Sequence, residues 1–226
     1  MAIKIKKTLR DVLFYFFAGI IPELKLLRNK HIYWSYFETR ITDCTIDKFT
    51  KLHPPYKISN TAISEGSYIS PNSSISFTKI GKYCSIGPNF FCGWGIHPTF
   101  GLSTSPMFYS TGKQNGKTLS KVNKIEERKE IIIGNDVFIG ANVTVLDGVT
   151  IGDGAIIGAG AVVSKNIPPY AIALGCPIEI IKFRFAPEDI AKLLAIKWWD
   201  FNENDLKDVE KYFFDVPSFL QNFYRH

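Results

Sequence analysis

The chain has 226 residues, of which 46% are apolar and 21% are charged. These values are typical of a globular domain and exclude low-complexity disorder and a collagen-like repeat. The longest uninterrupted apolar run, residues 12–21, has ten residues. A membrane-spanning helix needs ~20, so the composition also excludes a polytopic membrane protein.

The net charge of +6 is unevenly distributed along the chain. Residues 1–30 carry seven basic and two acidic side chains, whereas residues 186–226 carry five basic and eight acidic ones. A basic amino terminus is compatible with contact to an anionic membrane surface or an anionic ligand. No stripe of Lys and Arg with interleaved aromatic residues continues through the body of the chain, so we expect no nucleic-acid partner.

The first predicted element is an amphipathic helix near the amino terminus. Its apolar positions follow the i, i+3, i+4 spacing of one helical face: Leu9, Val12, Leu13, Phe16, Phe17, Ile20 and Leu24. We expect this helix to pack as a cap on the domain. The alternative is peripheral membrane contact, because four basic residues between positions 4 and 10 stand beside its aromatic residues.

A weak six-residue repeat follows. Its aliphatic positions are, with one slip of register, Ile63, Ile69, Ile75, Ile80, Ile86 and Cys92. A period of six does not match an amphipathic helix or an alternating strand. It indicates a short strand followed by a tight turn.

The repeat disappears between Cys92 and Ile131, which predicts a long loop over residues 93–130. Loops of this length in compact domains are usually functional or disordered. His97, in the sequence GWGIHPTF, is the best candidate for chemistry because an imidazole can remove a proton from a hydroxyl at neutral pH. The alternative for His97 is a histidine that caps a turn beside Pro98.

From Ile133 the repeat runs without a miss. Its first column is Ile133, Ile139, Val145, Ile151, Ile157 and Val163. A glycine often follows directly, and a second column of Val and Ala lies four residues after the first. Three strand–turn units form one triangular coil, and coils stack about 4.8 Å apart with the aliphatic side chains inside.

The carboxyl-terminal segment predicts helices. Residues 187–199 open with Pro187 and two acidic residues, which is a typical helix start, and a second short helix is expected from Asp205. The predicted organisation is a helical or irregular extension over 1–57, a β-helix over 58–183 with its loop at 93–130, and helices over 184–226.

The repeat, the interrupting loop with its histidine and the tail PPYAIALGCPIEIIKFRFAPEDI together resemble the hexapeptide-repeat acyltransferases over roughly residues 60–200. The most similar branch is that of the xenobiotic and chloramphenicol acetyltransferases, with related polysaccharide O-acetyltransferases. The resemblance implies an all-β fold, a left-handed parallel β-helix flanked by helices. It also implies a homotrimer that binds acetyl-CoA between neighbouring subunits. A metal-dependent β-helix enzyme of the carbonic-anhydrase kind would need three histidines at coil positions, and only His97 lies in the repeat and loop, so we expect no metal.

The resemblance also implies roles for individual residues. In the family the loop histidine is the general base, which corresponds to His97. The positions that match coenzyme A contacts are Phe138, where many relatives have tryptophan, Gly140, Ala141, Ala159, Ser164, Lys165 and Lys182. Trp94, Met107 and Tyr109 flank the loop and are candidates for the wall of the acceptor site; loop-anchoring aromatics would have the same sequence signal.

The four cysteines show no CxxC or other metal-ligand spacing, so we expect reduced structural thiols. Cys84 or Cys92 as an acyl-accepting nucleophile is the competing mechanism. Both occupy repeat positions that suit small buried side chains, which favours the structural role.

The expected function is acetyl-CoA-dependent O-acetylation of a sugar in surface polysaccharide or lipopolysaccharide biosynthesis. The enzyme is expected in the cytoplasm, at the inner face of the membrane if the first helix binds lipid. Alternatives are acetylation of chloramphenicol or another xenobiotic hydroxyl, N-acetylation of a nucleotide-linked amino sugar, and a non-catalytic hexapeptide protein that acts as a scaffold or binding module.

Overall fold

The computed structural model describes residues 9–20 and 39–224. The chain divides into one unit over Met1–Thr39 and a second over Arg40–His226. In the first unit, helix α1 (Leu9–Ile20) confirms the predicted amino-terminal helix. Its side chains at positions 13, 15, 16, 17 and 20 are all exposed. The basic residues Lys4, Lys6 and Lys7 lie outside the described residues.

The second unit is built from short strands followed by helices. The strands are β1 (Arg40–Thr42), β2 (Thr45–Ile46), β3 (Lys51–Leu52), β4 (Tyr56–Ile63), β5 (Tyr68–Ile69), β6 (Ser73–Ile80), β7 (Ser85–Ile86), β8 (Phe91–Cys92), β9 (Ile131–Ile133), β10 (Phe138–Ile139), β11 (Thr144–Val145), β12 (Thr150–Ile151), β13 (Ile156–Ile157), β14 (Val162–Val163), β15 (Ala171–Leu174) and β16 (Glu179–Phe183). The helices are α2 (Pro187–Ile196), α3 (Leu206–Lys211) and α4 (Val216–Phe223), with 3-10 turns at Pro106–Phe108 and Trp198–Asp200.

The strands stack in parallel to form the three faces of a β-helix. Face 1 contains β1, the first halves of β4 and β6, then β8, β11 and β14. Face 2 contains β2, the second halves of β4 and β6, then β9 and β12. Face 3 contains β3, β5, β7, β10, β13 and β15, with β16 antiparallel at its end. The parallel β-helix is thus confirmed, and its left-handed winding stays a prediction.

The turn between face 1 and face 2 is called edge 1–2, and the turn between face 3 and face 1 is called edge 3–1. Strands β4 and β6 bend around edge 1–2 at Asn60 and Phe77, whose φ angles are +47° and +56°. This left-handed backbone conformation reverses the chain within one or two residues. Edge 1–2 is also where the long loop leaves the coils, because β8 lies on face 1 and β9 on face 2.

The core is a set of stacked aliphatic columns, as the repeat predicts. On face 3, Ile69, Ile86, Ile139, Ile157 and Ala173 lie in register and are fully buried. The coils differ in length, because Ile58 pairs with Ile75 after 17 residues, whereas Val145 pairs with Val163 after 18. This difference is the physical reason for the slip in the first tract of the repeat.

The β-helix begins earlier than the predicted boundary at residue 58. Strands β1, β2 and β3 form its first coil, in which Ile46 is in register with Ile63 and Leu52 with Ile69. The side chains of this coil are largely exposed. Because only one side of a terminal coil is covered, polar residues are tolerated there and the six-residue signal is weak.

The carboxyl-terminal helices pack around Tyr170, together with Leu193, Phe219 and Leu220. Beside this cluster, Arg184 Nη1 donates hydrogen bonds to Asp136 Oδ2 at 3.0 Å and to the Gly154 carbonyl oxygen at 2.7 Å. Burial raises the pKa of Asp136, and the guanidinium group opposes that rise. This ion pair connects the β-helix to the segment that leads into α2.

Candidate active site

The loop that leaves edge 1–2 is held at its base by one carboxylate. The side chain of Asp147, on the next coil, is 2% exposed. Its Oδ2 accepts a hydrogen bond from Gly95 N at 2.9 Å, and its Oδ1 accepts from Arg128 Nε at 3.1 Å and Lys129 N at 3.2 Å. The first and last residues of the loop are therefore fixed to the same group.

Arg128 reinforces this base. Its Nη2 donates to the Gly93 carbonyl oxygen at 2.8 Å and to Ser76 Oγ at 3.1 Å, and its guanidinium lies 5.4 Å from the centre of the Phe77 ring. Neither Asp147 nor Arg128 was predicted as a site residue. The available signal was small: Leu146 interrupts the glycine column of the repeat, but Asp147 does not stand out from Asp136 and Asp153 in the same tract.

His97 follows this anchored segment by two residues and is exposed. Its Nδ1 lies 2.9 Å from the Thr104 carbonyl oxygen and 2.9 Å from the Tyr109 hydroxyl oxygen. A carbonyl oxygen can only accept a hydrogen bond, so the short contact to Thr104 requires a proton on Nδ1. Nε2 then carries the lone pair, and it has no hydrogen-bond partner among the described residues. This is the arrangement that a general base needs.

A cavity of about 520 Å³ adjoins His97. Two of the predicted acceptor residues, Trp94 and Tyr109, line it together with His97. Trp94 is 68% exposed, whereas Tyr109 is 5% exposed. Burial, and to a smaller extent the negative charge of Glu127, raises the pKa of Tyr109. The structure therefore brings the predicted base and two aromatic residues together at one opening.

Met107 does not line this cavity. It belongs to the 3-10 turn Pro106–Phe108, and its carbonyl oxygen accepts from Leu119 N at 2.9 Å and Thr118 Oγ1 at 3.1 Å. These backbone hydrogen bonds stay within the loop, and the role of Met107 in the acceptor site stays a prediction.

Polar residues from the second half of the loop complete the cavity. Gln114 Nε2 donates to Glu127 Oε2 at 2.9 Å and to Ser110 Oγ at 3.1 Å. Asn123 Oδ1 accepts from Thr111 N at 2.7 Å and from Thr111 Oγ1 at 2.8 Å. These side chains were not predicted as site residues, because polar residues in a non-periodic loop have no pattern that separates lining residues from solvated ones.

The residues predicted to bind coenzyme A fall into two groups. Ser164 and Lys165 are exposed at edge 1–2, after β14, on the same edge as the loop. Phe138 is 45% exposed on face 3, and Gly140, Ala141 and Ala159 follow at edge 3–1. Lys182 is exposed on β16. One whole face separates the two groups, so within one chain they do not form a single site.

Small residues let adjacent coils approach closely at one part of edge 3–1. A Cβ placed on Gly140 would lie 2.6 Å from Ala159 N, and Ala141 O accepts a hydrogen bond from Gly160 N at 2.8 Å. Polar side chains stand on the same edge, because Asn89 Nδ2 donates to Asn142 Oδ1 at 2.9 Å.

The cysteines are free in the structure. Cys84 and Cys92 are fully buried in the core, and burial raises the pKa of both thiols to about 12. A thiol with that pKa is a poor nucleophile at neutral pH because the thiolate is the reactive form. Across residues 9–20 and 39–224, no three His, Cys, Asp or Glu side chains are grouped to hold a metal ion. No helix in these residues is long and apolar enough to cross a bilayer.

Comparisons with known proteins agree with this architecture. Residues 130–165 match the family model "Bacterial transferase hexapeptide (six repeats)". A probable macrolide acetyltransferase from Lysinibacillus sphaericus is 40% identical over 131 residues, which are 57% of this chain and 72% of that protein. A chloramphenicol acetyltransferase from Agrobacterium fabrum is 32% identical over 187 residues, which are 76% of this chain and 88% of that protein.

Among solved structures, a hexapeptide-repeat acetyltransferase from Vibrio cholerae complexed with acetyl-CoA is similar, with a TM-score of 0.49 and 22% identity over 79% of this chain and 91% of that one. The match to the Agrobacterium protein covers most of both chains. The six-residue repeat and the long loop with its histidine are both present in the structure. The chain belongs to the hexapeptide-repeat acetyltransferases, in the branch that includes chloramphenicol acetyltransferases.

Proposed function

We propose that this enzyme transfers the acetyl group of acetyl-CoA to a hydroxyl group of a sugar, with His97 as the general base. The observation that carries the proposal is the free Nε2 of His97 beside a cavity lined with polar side chains. Acetyl-CoA as the donor is supported by family membership. The acceptor class is supported by the chemistry of the cavity.

The reaction balances without another co-reactant. His97 Nε2 removes the proton of the acceptor hydroxyl as its oxygen attacks the acetyl carbonyl carbon, and the carbon–sulfur bond of the thioester then breaks. The imidazolium returns the proton to the departing thiolate, which yields the ester and free coenzyme A. A backbone N–H is the expected donor to the tetrahedral oxyanion.

The cavity favours an acceptor with several hydroxyl groups. Asn123 Nδ2 and one oxygen of Glu127 have no hydrogen-bond partner within residues 39–224, so both are free to bind ligand hydroxyls. Trp94 presents a largely exposed indole at the rim, a surface on which the apolar face of a sugar ring stacks well. A ligand with many hydroxyl groups satisfies both features.

A second candidate is acetylation of the hydroxyl of an antibiotic. It is favoured by the relatives named chloramphenicol and macrolide acetyltransferases. The two candidates differ in how they depend on the polar cavity side chains. Glu127→Gln and Asn123→Ala are expected to weaken binding of a sugar. Binding of chloramphenicol in the same cavity is expected to depend more on Trp94.

The primary test is thiol release from acetyl-CoA by wild type and His97→Ala, with free sugars, nucleotide sugars and chloramphenicol as acceptors. Loss of a general base lowers kcat by ~10²–10⁴-fold. His97→Ala is expected to retain acetyl-CoA binding measured by calorimetry, and His53→Ala serves as the matched control outside the loop. Equal turnover by His97→Ala and wild type would overturn the role of His97. Absence of acetyl-CoA binding by wild type would leave the scaffold alternative.

We further propose that coenzyme A lies between subunits of a homotrimer. The proposal explains why the predicted coenzyme A residues fall at edge 1–2 and edge 3–1, because cyclic association brings one edge of each subunit against a different edge of its neighbour. His97 and Lys165 then come from one chain. Phe138, Gly140 and Ala159 come from the next.

Mixed oligomers test this arrangement. Ala159 is exposed at edge 3–1, so Ala159→Trp is expected to block the approach of coenzyme A to this edge without disturbing the core. His97→Ala and Ala159→Trp are each expected to be inactive alone. Co-expressed in equal amounts, they regain about a quarter of the wild-type activity if each site uses edges from two chains. Recovery of no activity would mean that both edges act within one chain.

The surface polysaccharide role is linked to membrane contact through α1. Its exposed Leu13, Phe16, Phe17 and Ile20 form an apolar surface on one side of a helix whose flanking sequence is basic. This combination fits an interfacial helix on anionic lipid, which would place the enzyme near lipid-linked sugars. Flotation with vesicles containing phosphatidylglycerol is the test, with Phe16→Glu/Phe17→Glu as the control. Wild type in the unbound fraction would contradict membrane contact.

A further inference from the structure

We infer that Tyr109 is a positioning residue for His97: its phenol oxygen, together with the Thr104 carbonyl oxygen, accepts the Nδ1–H of the imidazole and holds the tautomer whose Nε2 is the base. The inference rests on the proposed role of His97 and adds a residue to it. It also changes the interpretation of Tyr109, which the sequence alone made a candidate for acceptor contact.

The geometry around Nδ1 carries the argument. Two oxygen atoms lie 2.9 Å from the same nitrogen, one from a carbonyl group and one from a hydroxyl group. If Nδ1 were unprotonated, the Thr104 carbonyl would face a lone pair at hydrogen-bond distance, which is repulsive. With a proton on Nδ1, both oxygens accept from it and the phenol keeps its own hydrogen for another partner.

This arrangement strengthens when His97 takes a proton on Nε2. The imidazolium is a better donor than the neutral ring, and hydrogen bonds from a charged donor are roughly twice as strong as neutral ones. Tyr109 is buried and stays neutral, since burial and the charge of Glu127 raise the pKa of its phenol. Its oxygen is therefore a fixed neutral acceptor that stabilises the cation formed during the reaction.

The charged groups that line the same cavity are Glu127 and Arg128. Glu127 is held by Gln114 Nε2 at 2.9 Å, and Arg128 is held by Asp147 at 3.1 Å. Both act on His97 in the wild type and in a variant that lacks only the phenol hydroxyl. A comparison of those two proteins thus isolates the hydrogen bond from the general field of the cavity.

The experiment uses full-length Tyr109→Phe, which removes one oxygen and keeps the ring. Tyr83→Phe is the matched control, because that ring stacks 5.4 Å from Trp198 and is not part of the cavity. Histidines are labelled with 15N and 13C and titrated by NMR, and His97→Ala identifies the His97 signal among the four histidines. The 15N shifts also report which ring nitrogen carries the proton.

In Tyr109→Phe, the titration midpoint of His97 is expected to move to lower pH by ~0.5–1 unit, since the cation loses an acceptor. The acid limb of the pH–rate profile is expected to move with it. kcat is expected to fall about tenfold, with KM for acetyl-CoA unchanged. Tyr83→Phe is expected to match the wild type in all of these measurements.

Two results would overturn the inference. A midpoint that moves to higher pH would mean that the phenol donates to an unprotonated Nδ1, and an unchanged midpoint would mean that Tyr109 only packs against the ring. The titration needs no turnover. If the wild type fails to transfer acetyl groups, the proposed function fails while the NMR result still decides the role of Tyr109.

Discussion

Asp147→Ala tests how much of the active-site geometry depends on the base of the loop. The substitution removes the acceptor of three N–H groups, from Gly95, Arg128 and Lys129. The carboxylate is 2% exposed, so water replaces it poorly, but Arg128 itself is 37% exposed and keeps part of its solvation. Each unsatisfied buried group costs about 1–3 kcal/mol. After the discount for solvation at Arg128, we expect a loss of about 2–4 kcal/mol in the free energy of unfolding.

The effect on catalysis follows from the same contacts. Gly95 lies two residues before His97, so loss of its hydrogen bond lets the His97 imidazole, the proposed base, move relative to the cavity. A displacement of about 1 Å can lower kcat by ~10²-fold. Asp147→Asn keeps the shape of the side chain and some of its acceptor capacity, and its losses are expected to lie between those of the wild type and Asp147→Ala.

Three measurements check this prediction: the free energy of unfolding in denaturant, kcat with whichever acceptor is active in the thiol-release assay, and the rate of tryptic cleavage at the exposed loop lysines Lys113 and Lys117. Asp147→Ala is expected to be less stable, slower and cleaved faster. Glu130→Gln is the control, because its ion pair with Lys79 at 3.0 Å is solvent-exposed and worth only about 0–1 kcal/mol. Wild-type stability, kcat and cleavage in Asp147→Ala would refute the reasoning.

Three further predictions concern the core and its ion pair. At pH 8 Ellman's reagent is expected to react with exposed Cys176 in the native protein and with Cys84 and Cys92 only after unfolding. The reason is that a pKa of about 12 leaves almost no thiolate at Cys84 and Cys92. Fast labelling of these two cysteines in the native protein would contradict this. Ile139→Ala empties part of a fully buried column and is expected to cost ~2–5 kcal/mol of unfolding free energy, against less than about 1 kcal/mol for Ile156→Ala on the outer side of face 3. Arg184→Met leaves the Asp136 carboxylate without its partner, at an expected cost of about 1–3 kcal/mol at pH 7 after discounting partial exposure. Burial raises the folded-state pKa of Asp136, so the loss of unfolding free energy in Arg184→Met should be smallest in acid and grow as pH rises through that pKa. A loss that does not change with pH would contradict the role of the Arg184–Asp136 ion pair.

Much of the fold was predictable because the information is local and periodic. In a β-helix each coil buries the same positions as the coil before it, so Ile133, Ile139 and Val145 must recur at a fixed spacing for the core to close. The same logic explains the error at the start. The first coil has a neighbour on one side only, and around Ile46 and Leu52 the repeat was too diluted by polar residues to be seen.

His97 was found from sequence because a histidine in a loop that interrupts a repeat is unusual, and because the family resemblance gave it a role. The residues around it were not predicted in these roles: Tyr109 was only a candidate for acceptor contact, and Thr104, Asp147 and Arg128 had no predicted role. They are 7 to 50 residues from His97 and share no period with it. Only the folded loop brings them together. Hydrogen bonds between non-periodic residues depend on how the loop returns to the edge of the β-helix from which it leaves.

By itself, the sequence determined the repeat, the inward aliphatic columns, the position of the excursion and the candidate base, all of which depend on residues a few positions apart. The tertiary structure decided which side chains surround that base and which edge each predicted coenzyme A residue occupies. Ser164 and Lys165 lie with the loop, whereas Gly140 and Ala159 lie one face away. The physical reason is that each coil has three sides, so residues only a few positions apart in sequence lie on different edges. Residues far apart in sequence, from different coils, stack on the same edge.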